Sequence, residues 1–231
     1  MKWTIPDYTE RIVRQLNENG YEAYLVGGCV RDLMLGSTPK DWDITTSAAP
    51  EQVKQSLSGF RIADTGLKHG TVTAIDGDGN TAEITTYRVE SAYSDHRHPD
   101  QVRFTRELKE DLARRDFTIN AMAYHPDGGL IDFYGGQEDL ARRRLRCVGD
   151  PTERFNEDAL RILRALRFAS ALQLRIAPET ADAVHRCRAS LAHIASERIY
   201  SEMTKLLCGN GVRPVLEEFS DVIAVFIPEL T

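Results

Sequence analysis

Several features that would place this chain in a specialised class are missing from its sequence. No apolar run approaches the roughly 18 residues needed to cross a membrane, and the N-terminus lacks the apolar core of a secretion signal. The four cysteines, at positions 29, 147, 187 and 208, form no CxxC or CxxH pair, which argues against a zinc knuckle or a disulfide framework. The sequence therefore predicts a cytoplasmic protein that does not span a membrane.

Glycine and proline are also sparse, since 16 Gly and nine Pro in 231 residues are too few for a fibrous or low-complexity chain. At the same time, 42% of the residues are hydrophobic, which argues against wholesale disorder. A chain of this length can bury one core and a second small one, so we expect one or two folded domains.

The charge is mildly acidic overall but unevenly distributed. The formal net charge of −6, taken alone, speaks against a polyanion-binding surface. Residues 140–175, however, contain nine Arg and only four acidic residues. An acidic protein with one basic segment is compatible with binding a phosphate-rich ligand at one place.

The hydrophobic pattern predicts a β-containing first part and a helical second part, with a soft boundary near residues 146–151. Strands are predicted over residues 24–26, 42–46, 71–75, 81–88, 102–104, 122–124 and 130–133. Helices are predicted from residue 7 to 19 and over 30–35, 50–57, 157–172, 178–190, 196–207 and 212–219. The last six residues do not resemble a natural end, so we expect a fragment whose helical part continues.

The segment Asp41-Trp42-Asp43 carries the first candidate chemistry. If it forms a strand, both carboxylates project to one side, because residues i and i+2 share a face. Two carboxylates on one side suit Mg²⁺, which takes its other ligands from water and substrate phosphates. Taken alone, however, this motif is more often a solvated turn.

Neighbouring motifs favour the metal interpretation. Gly27-Gly28 separates a predicted strand from a predicted helix, whose first N–H groups would form a phosphate cradle beside Arg31. Glu83 alternates out of the strand predicted over residues 81–88 and offers a third carboxylate, unless it is simply an exposed strand residue.

Four ordered motifs then resemble one known family. They are LVGGCVRD at residues 25–32, KDWDIT at 40–45, RRDFTINA at 114–121 and RFNEDALRILRALRF at 154–168. Together they resemble the class II tRNA nucleotidyltransferases, the CCA-adding enzymes, and their bacterial poly(A) polymerase relatives. The resemblance extends from about residue 24 to residue 207, and four motifs in this order are a specific signal.

The resemblance implies an α+β fold in which a polymerase-β-like nucleotidyltransferase head with a mixed β-sheet precedes an all-helical neck. The head would occupy residues 1–147, and the neck and the start of a body would occupy residues 148–231. Full-length relatives continue into body and tail regions that grip tRNA, so we expect this chain to bind nucleotide better than it binds tRNA productively.

The resemblance also implies roles for individual residues. Asp41 and Asp43 correspond to the metal-binding carboxylates, and Glu83 to a third acidic residue that completes the metal site or accepts the 3′-hydroxyl proton. Nucleotide binding is implied for Gly28, Arg31, Arg115, Asp116, Asn120, Asp158, Arg161, Arg164 and Arg167. Among these, Gly28 and Arg31 correspond to phosphate contacts, and the RRDFTINA residues to contacts with the sugar and phosphates. The EDxxR motif, which selects the base, falls on Glu157, Asp158 and Arg161.

Asp158 and Arg161 also suit base selection on chemical grounds. Cytosine and adenine present an amino donor beside a ring-nitrogen acceptor, which a carboxylate and a guanidinium can pair with together. Uracil and guanine would leave buried polar groups mismatched at about 1–3 kcal/mol each. In a regular helix Arg167 lies nearly opposite Asp158, so Arg164 is assigned to base or ribose and Arg167 to phosphate or an internal salt bridge. The alternative is a solvated arginine face above a leucine core.

The implied function is template-independent transfer of CMP and AMP from CTP and ATP to the 3′ end of tRNA, by a two-metal mechanism with Mg²⁺ as cofactor. The expected partners are tRNA, ATP and CTP, with no membrane and no protein partner. A poly(A) polymerase, a CC-only or A-only enzyme, and a noncatalytic RNA- or nucleotide-binding module remain alternatives.

Four smaller features complete the hypothesis. Residues 87–104 resemble the flexible loop of the family. His96 and His98 within them reflect loop polarity or, less often, a metal site. Cys29 is interpreted as a packing residue rather than a nucleophile. Arg142-Arg143-Arg144 either forms a solvated helix face or contacts an RNA backbone.

Overall fold

The structure, a computed structural model, describes residues 3–91 and 101–227. The chain divides into two compact units. The first comprises Met1–Glu90, Val102–Arg115 and Ile119–Gln137, and the second is built mainly from Asp116–Thr118 and Glu138–Thr231. The chain thus enters the second unit briefly at Asp116 before it returns to the first. The predicted domain boundary after residue 147 stays a prediction.

The first unit is built around a mixed β-sheet. In chain order the strands are β1 (Ala23–Val26), β2 (Asp43–Thr46), β3 (Arg61–Gly66), β4 (Thr71–Ile75), β5 (Thr81–Thr86), β6 (Arg88–Ser91), β7 (Gln101–Phe104), β8 (Met122–His125) and β9 (Gly129–Asp132). Strands β6 and β7 form a separate two-stranded sheet, and the others lie side by side in the order β3-β4-β5-β2-β1-β8-β9. Among the described neighbours in this seven-stranded sheet, only β2 and β5 pair in parallel.

Helices complete the first unit. They are α1 (Asp7–Glu18), α2 (Gly28–Met34), α3 (Pro50–Ser56), α4 (Leu108–Ala113) and α5 (Gly136–Ala141), of which α5 continues into the second unit. Helix α1 packs against β1 with Ile12, Val13 and Leu16 buried, as its apolar spacing predicts. Helices together with a mixed sheet confirm the predicted α+β class.

The second unit is mainly helical. It contains α6 (Pro151–Glu157), α7 (Leu160–Leu172), α8 (Pro178–Cys187), α9 (Ser196–Leu207), α10 (Val212–Glu218) and α11 (Ser220–Ile223). Helix α7 packs against α9 and α10, with Ile162, Leu163 and Leu166 fully buried. Two short strands that the sequence did not predict, β10 (Arg144–Leu145) and β11 (Arg175–Ile176), pair in parallel.

The prediction of one helix over residues 157–172 is wrong, because the chain leaves the helix at Asp158. Helix α6 ends at Glu157, and Asp158 has an extended backbone with φ −140° and ψ 104°. Its Oδ1 accepts a hydrogen bond from Leu160 N at 3.1 Å. A short carboxylate side chain that bonds backbone N–H groups favours a helix start over a helix interior.

Other predicted elements match the structure closely. The turn at residues 76–80 joins β4 and β5 as a hairpin, and α9 has the bounds that its pattern predicts. Strand β5 ends at Thr86 rather than at residue 88, and the next residue, Tyr87, is buried and donates its N–H to Thr46 O at 2.7 Å. No helix in the described part of the chain is long and apolar enough to cross a membrane.

Candidate active site

Two acidic residues lie opposite each other on the parallel pair of strands near the centre of the sheet. Asp43 on β2 lies opposite Glu83 on β5 in the register, and Glu83 N–H donates to Trp42 O at 3.1 Å. Because side chains alternate along a strand, residues paired in register project from the same face of the sheet. Two acidic residues from separate motifs therefore share one surface.

The electrostatic surroundings of Asp43 are those of a crowded carboxylate. Burial raises the pKa of Asp43 above its ordinary value, and the nearby Arg115 guanidinium opposes that shift. The negative charges of Glu83 and Asp41 raise the same pKa further. Glu83 and Asp41 are thus each close enough to Asp43 to repel its charge.

Asp41 lies just before the sheet. Strand β2 begins at Asp43 rather than at residue 42, and Asp41 is an exposed residue in the preceding bend. The alternating burial of a strand nevertheless extends back to Asp41, since the buried residues Trp42 and Ile44 alternate with the more exposed Asp41 and Asp43. The pattern agrees with both carboxylates on one side.

Asp41 and Asp43 could hold a divalent cation as a pair of carboxylate ligands. Within the described residues, no group of three or more His, Cys, Asp or Glu side chains could hold a metal ion. Asp41 and Asp43 offer hard oxygen ligands, and a cation would relieve the repulsion that acts on Asp43. Their assignment as metal ligands stays a prediction.

A cavity of about 200 Å³ opens beside Asp43 and Glu83. Its other lining residues are Val26, Ile44, Thr71, Thr85, Arg88, Arg114 and Arg115. Of these arginines, sequence reasoning assigned a role only to Arg115. Arg114 could have been found as the first residue of RRDFTINA, whereas Arg88 lies outside the four motifs. Both Arg88 and Arg114 form ion pairs with Glu90, at 2.7 and 3.2 Å.

The glycine turn lies against the same arginine. Gly27 precedes α2 with φ 77° and ψ −127°, a backbone conformation that is strongly unfavourable for a residue with a side chain. A Cβ at this position would lie 2.9 Å from Nη1 of Arg115. Gly28 begins α2 and is partly exposed. Glycine at position 27 thus lets the chain pass close to a cavity-lining guanidinium.

Arg31 and Asn120, predicted from different motifs, are hydrogen-bonded to each other. Arg31 Nη1 donates to Asn120 Oδ1 at 2.7 Å, and its Nε and Nη2 donate to Asp32 Oδ1 at 2.9 and 2.7 Å. Arg31 is therefore held in a fixed orientation by an amide and a carboxylate at the start of α2.

Asp116 and Arg164, also from different motifs, form a second link. Arg164 Nε and Nη2 donate to Asp116 Oδ2 at 2.9 and 2.6 Å, while Asp116 Oδ1 accepts a hydrogen bond from Phe117 N at 2.8 Å. Arg164 also lies over the Phe168 ring, 5.4 Å from its centroid. Both residues belong to the second unit, and this pairing orients Arg164.

The side chains of the proposed base-selecting pair each bond to another residue in this structure. Asp158 Oδ2 forms an ion pair with Arg198 at 3.1 Å, and Arg161 Nη1 donates to Glu157 Oε2 at 2.5 Å. Glu157 also pairs with Arg154. Asp158 precedes α7, and its backbone carbonyl accepts a hydrogen bond from Arg161 N at 2.9 Å, so the two residues lie within one turn of each other. Their role in base selection stays a prediction.

Arg167 adopts one of the two roles open to it. Its Nε lies 3.0 Å from Glu202 Oε2, and its guanidinium lies 4.0 Å from the Phe168 ring centroid. Glu202 is itself buried. Arg167 therefore forms the internal salt bridge that was one of its two assignments.

The remaining candidates divide between the described and undescribed parts of the chain. Cys29 is buried, and burial raises the pKa of its thiol to about 11, as suits a packing residue rather than a nucleophile. His96 and His98 lie outside the described residues, as does most of the segment that resembles the flexible loop.

Two known protein domains match this chain. The Poly A polymerase head domain matches residues 23–146, and the probable RNA and SrmB-binding site of polymerase A matches residues 173–231. The CCA-adding enzyme of Limosilactobacillus fermentum is 50% identical over 210 residues, covering 91% of this chain and 52% of the relative. That of Levilactobacillus brevis is 52% identical over 200 residues, covering 87% and 50%. The chain spans about half the length of the curated relatives it matches.

Solved structures give the same result. The Bacillus stearothermophilus CCA-adding enzyme in complex with CTP is 43% identical, with a TM-score of 0.84 over 94% of this chain and 53% of that one. The Thermotoga maritima CCA-adding enzyme complexed with tRNA is 29% identical, with a TM-score of 0.77 over 98% of this chain and 54% of that one.

The sheet, the glycine turn and the neighbouring carboxylates define a polymerase-β-like nucleotidyltransferase head. The chain belongs to the family of CCA-adding enzymes and bacterial poly(A) polymerases that share this head domain. Members of this family generally use divalent metal ions. The resemblance carried by the four motifs is thus confirmed.

Proposed function

We propose that this chain transfers CMP and AMP from CTP and ATP to the 3′ end of tRNA without a nucleic-acid template. The observation that carries the proposal is the parallel register that sets Asp43 opposite Glu83 beside a cavity lined by arginines. The similarity to CCA-adding enzymes whose structures contain CTP or tRNA supports the substrates. We place the activity in the cytoplasm, where tRNA and nucleoside triphosphates meet.

The proposed reaction is attack of the RNA 3′-oxygen on the α-phosphorus of the nucleotide, with release of pyrophosphate. Asp41 and Asp43 would hold Mg²⁺, which supplies Lewis-acid activation and neutralises triphosphate charge when bound. Glu83, which lies opposite Asp43 in the register, would complete the metal site or accept the 3′-hydroxyl proton.

Residues around the glycine turn would hold the triphosphate and the sugar. Gly28 exposes backbone without a side chain, and Arg31 presents a guanidinium oriented by Asn120. Arg115 contributes positive charge to the cavity wall beside Asp43. In the second unit, Asp116 would orient Arg164 for contact with base or ribose.

Base selection is assigned to Asp158 and Arg161. Asp158 has acceptor capacity beyond its bonds to Leu160 N and Arg198, and Arg161 is a guanidinium donor whose Nη1 bonds Glu157 Oε2 and Arg154 O. The amino group of cytosine or adenine would donate to the Asp158 carboxylate, and the ring nitrogen would accept from the Arg161 guanidinium. Glu157 and Arg198 would then hold the pair in position rather than read the base.

Poly(A) addition is the second candidate, because the matching head-domain model carries the name of poly(A) polymerase. Supplying CTP or ATP to tRNA that lacks CCA and to a generic RNA separates the two activities. CC-only and A-only enzymes are separated by the number of nucleotides added. A noncatalytic module would incorporate nothing in the presence of Mg²⁺.

The decisive experiment measures Mg²⁺-dependent incorporation of labelled CTP and ATP into tRNA that ends at the discriminator base. We expect Asp43→Asn to abolish incorporation and to retain the fold, checked by circular dichroism. Asp78→Asn, in the exposed turn of the β4–β5 hairpin, removes the same charge and should remain active. Appreciable turnover by Asp43→Asn would overturn the proposal.

A further inference from the structure

A cleft in the second unit carries three exposed arginines. It has a volume of about 520 Å³ and is lined by Ala141, Arg142, Arg143, Gln173 and Arg175. All five residues are exposed and belong to the second unit. None of them lines the cavity beside Asp43 and Glu83.

The positive charge of this cleft is poorly compensated within the protein. Among residues 3–91 and 101–227, the side chains of Arg143 and Arg175 form no ion pair. Arg142 pairs with Glu138 at 2.8 Å, but both side chains are more than half exposed, at 63% and 57%. Exposed pairs of this kind contribute little, so Arg142 remains available to another anion.

The backbone brings these like charges together. Strands β10 and β11 set Arg144 opposite Arg175 in register, and Arg175 N–H donates to Arg143 O at 2.8 Å. Like charges placed opposite each other on paired strands are destabilising. Arg144 is neutralised by the buried carboxylate of Asp139 at 2.5 Å, whereas Arg143 and Arg175 have no such acid among the described residues. Arg143 and Arg175 therefore add positive charge to the cleft that no acidic side chain among the described residues offsets.

Backbone strain is concentrated at the same place. Arg143 has φ 51° and Gln173 has φ 52°, and in the described part of the chain these are the only non-glycine residues with positive φ. Such conformations cost about 1–3 kcal/mol each for residues other than glycine, and they occur at functional sites and at helix ends, where Gln173 caps α7. Both residues line the cleft, which is an observation independent of its charge.

We propose that Arg142, Arg143 and Arg175 bind the phosphodiester backbone of RNA, an inference that rests on the proposed function for the identity of that RNA. Guanidinium groups pair well with phosphate oxygens, and the cleft is a basic surface on a chain of net charge −6. None of the large apolar side chains exposed in the described chain lines it, so it lacks the apolar residues that would insert into a membrane surface. The arginines position the RNA and take no part in the chemistry.

The test is the salt dependence of tRNA binding by the 231-residue chain, measured by fluorescence anisotropy with a labelled transcript that lacks CCA. The Arg143→Gln/Arg175→Gln variant should bind about tenfold more weakly, and its slope of log K against log salt should fall by about 0.7–0.9 for each phosphate that the variant no longer neutralises. Its affinity for CTP and its kcat at saturating tRNA should not change.

Arg14→Gln/Arg213→Gln is the matched control. It removes the same charge from exposed arginines that form ion pairs on other helices, and it should leave the affinity and the slope unchanged. Arg143→Gly should also weaken binding while removing the backbone strain, so its weaker affinity cannot be attributed to misfolding. Arg143→Lys/Arg175→Lys, which retains the charges, should recover most of the salt slope.

Equal affinity and slope in Arg143→Gln/Arg175→Gln and the wild-type chain would overturn the inference. So would an equal reduction of affinity in the matched control, or a wild-type chain that does not bind RNA. A chain that binds RNA through these arginines but incorporates no nucleotide would retain the inference and contradict the proposed function. The two failures are therefore distinguishable.

Discussion

Arg31 Nη1 donates a hydrogen bond of 2.7 Å to Oδ1 of Asn120, although the two residues come from motifs at opposite ends of the first unit's sequence. The contact joins the residue assigned to the triphosphate with one assigned to the sugar. Asp32 accepts from the other side of the same guanidinium. Arg31 is therefore preorganised, and preorganised charge binds phosphate without the entropy cost of ordering a free side chain.

Replacing Arg31 should weaken nucleotide binding more than it weakens the fold. A hydrogen bond to a charged group contributes about 1.5–3 kcal/mol, so we expect Arg31→Ala to raise the KM for CTP and ATP by about 10- to 150-fold. Arg31→Lys keeps the charge but cannot bond Asn120 and Asp32 in the same fork, and should give an intermediate KM. Steady-state kinetics check this. An unchanged KM in Arg31→Ala would show that Arg31 has only a structural role.

Gly27→Ala should damage the active site more than an ordinary turn substitution would. The backbone of Gly27 is unfavourable for alanine, and the new Cβ would lie 2.9 Å from Nη1 of Arg115. We expect a decrease of about 1–3 kcal/mol in the free energy of unfolding, and transfer that falls further because Arg115 is displaced. Gly79→Ala is the control, since Gly79 has φ +85° but no atom within 4 Å of its Cβ position. Equal transfer by the two variants would contradict the prediction.

Local signals in the sequence were sufficient for much of this fold. The glycine turn, the β4–β5 hairpin and α9 are each specified by residues that are close together in the chain. The order of the four motifs was enough to identify the family. The alternation of residues around Glu83 predicted that its side chain is exposed. These features depend on turn chemistry and periodicity, which a single sequence displays directly.

Features that depend on distant partners could not be predicted in this way. Strand β3 has weak alternation and is defined by its pairing with β4, and β10 and β11 are only two residues each. The ion pair of Asp158 with Arg198, like the approach of Arg88 to the cavity, exists only after the chain folds. In each case a tertiary contact, rather than local preference, decides the structure.

Asp111 should make the first unit sensitive to acid. Burial alone would raise the pKa of this carboxyl, but the guanidinium groups of Arg114 and Arg115 and a hydrogen bond from Thr45 hold it below its ordinary value. A carboxyl whose pKa is lowered on folding contributes its full stability above the unfolded pKa of about 3.9 and loses it as the pH falls below that value.

Asp111→Asn should therefore destabilise the chain by about 3–5 kcal/mol at pH 7, because it removes the buried carboxylate that pairs with Arg114 and Arg115. The difference from wild type should shrink as the pH falls below about 4. Urea unfolding at about pH 7 and about pH 3.5 measures both effects. Asp64→Asn, in an exposed pair with Lys54, should cost less than about 1 kcal/mol. A constant difference across pH would contradict the assignment.

The base-selection assignment predicts that Asp158 and Arg161 determine the preference for CTP and ATP over UTP and GTP. Each mismatch between a wrong base and one of these two side chains costs about 1–3 kcal/mol. Asp158→Ala or Arg161→Ala should therefore reduce the ratio of kcat/KM for CTP or ATP to kcat/KM for UTP or GTP by about 5- to 150-fold. Asp158→Ala also removes the bond to Leu160 N and the ion pair with Arg198, so it will lower stability as well.

Arg198→Gln separates the two effects of Asp158. It breaks the ion pair, whose members are only 25% and 19% exposed, but leaves the carboxylate and its bond to α7 in place. If Asp158 reads the base, Arg198→Gln should lower stability while it keeps most of the discrimination against UTP. Thermal unfolding and competition between labelled CTP and UTP measure the two quantities on the same preparation. An equal decrease of discrimination in Arg198→Gln and Asp158→Ala would mean that this ion pair positions α7, and that base recognition lies elsewhere.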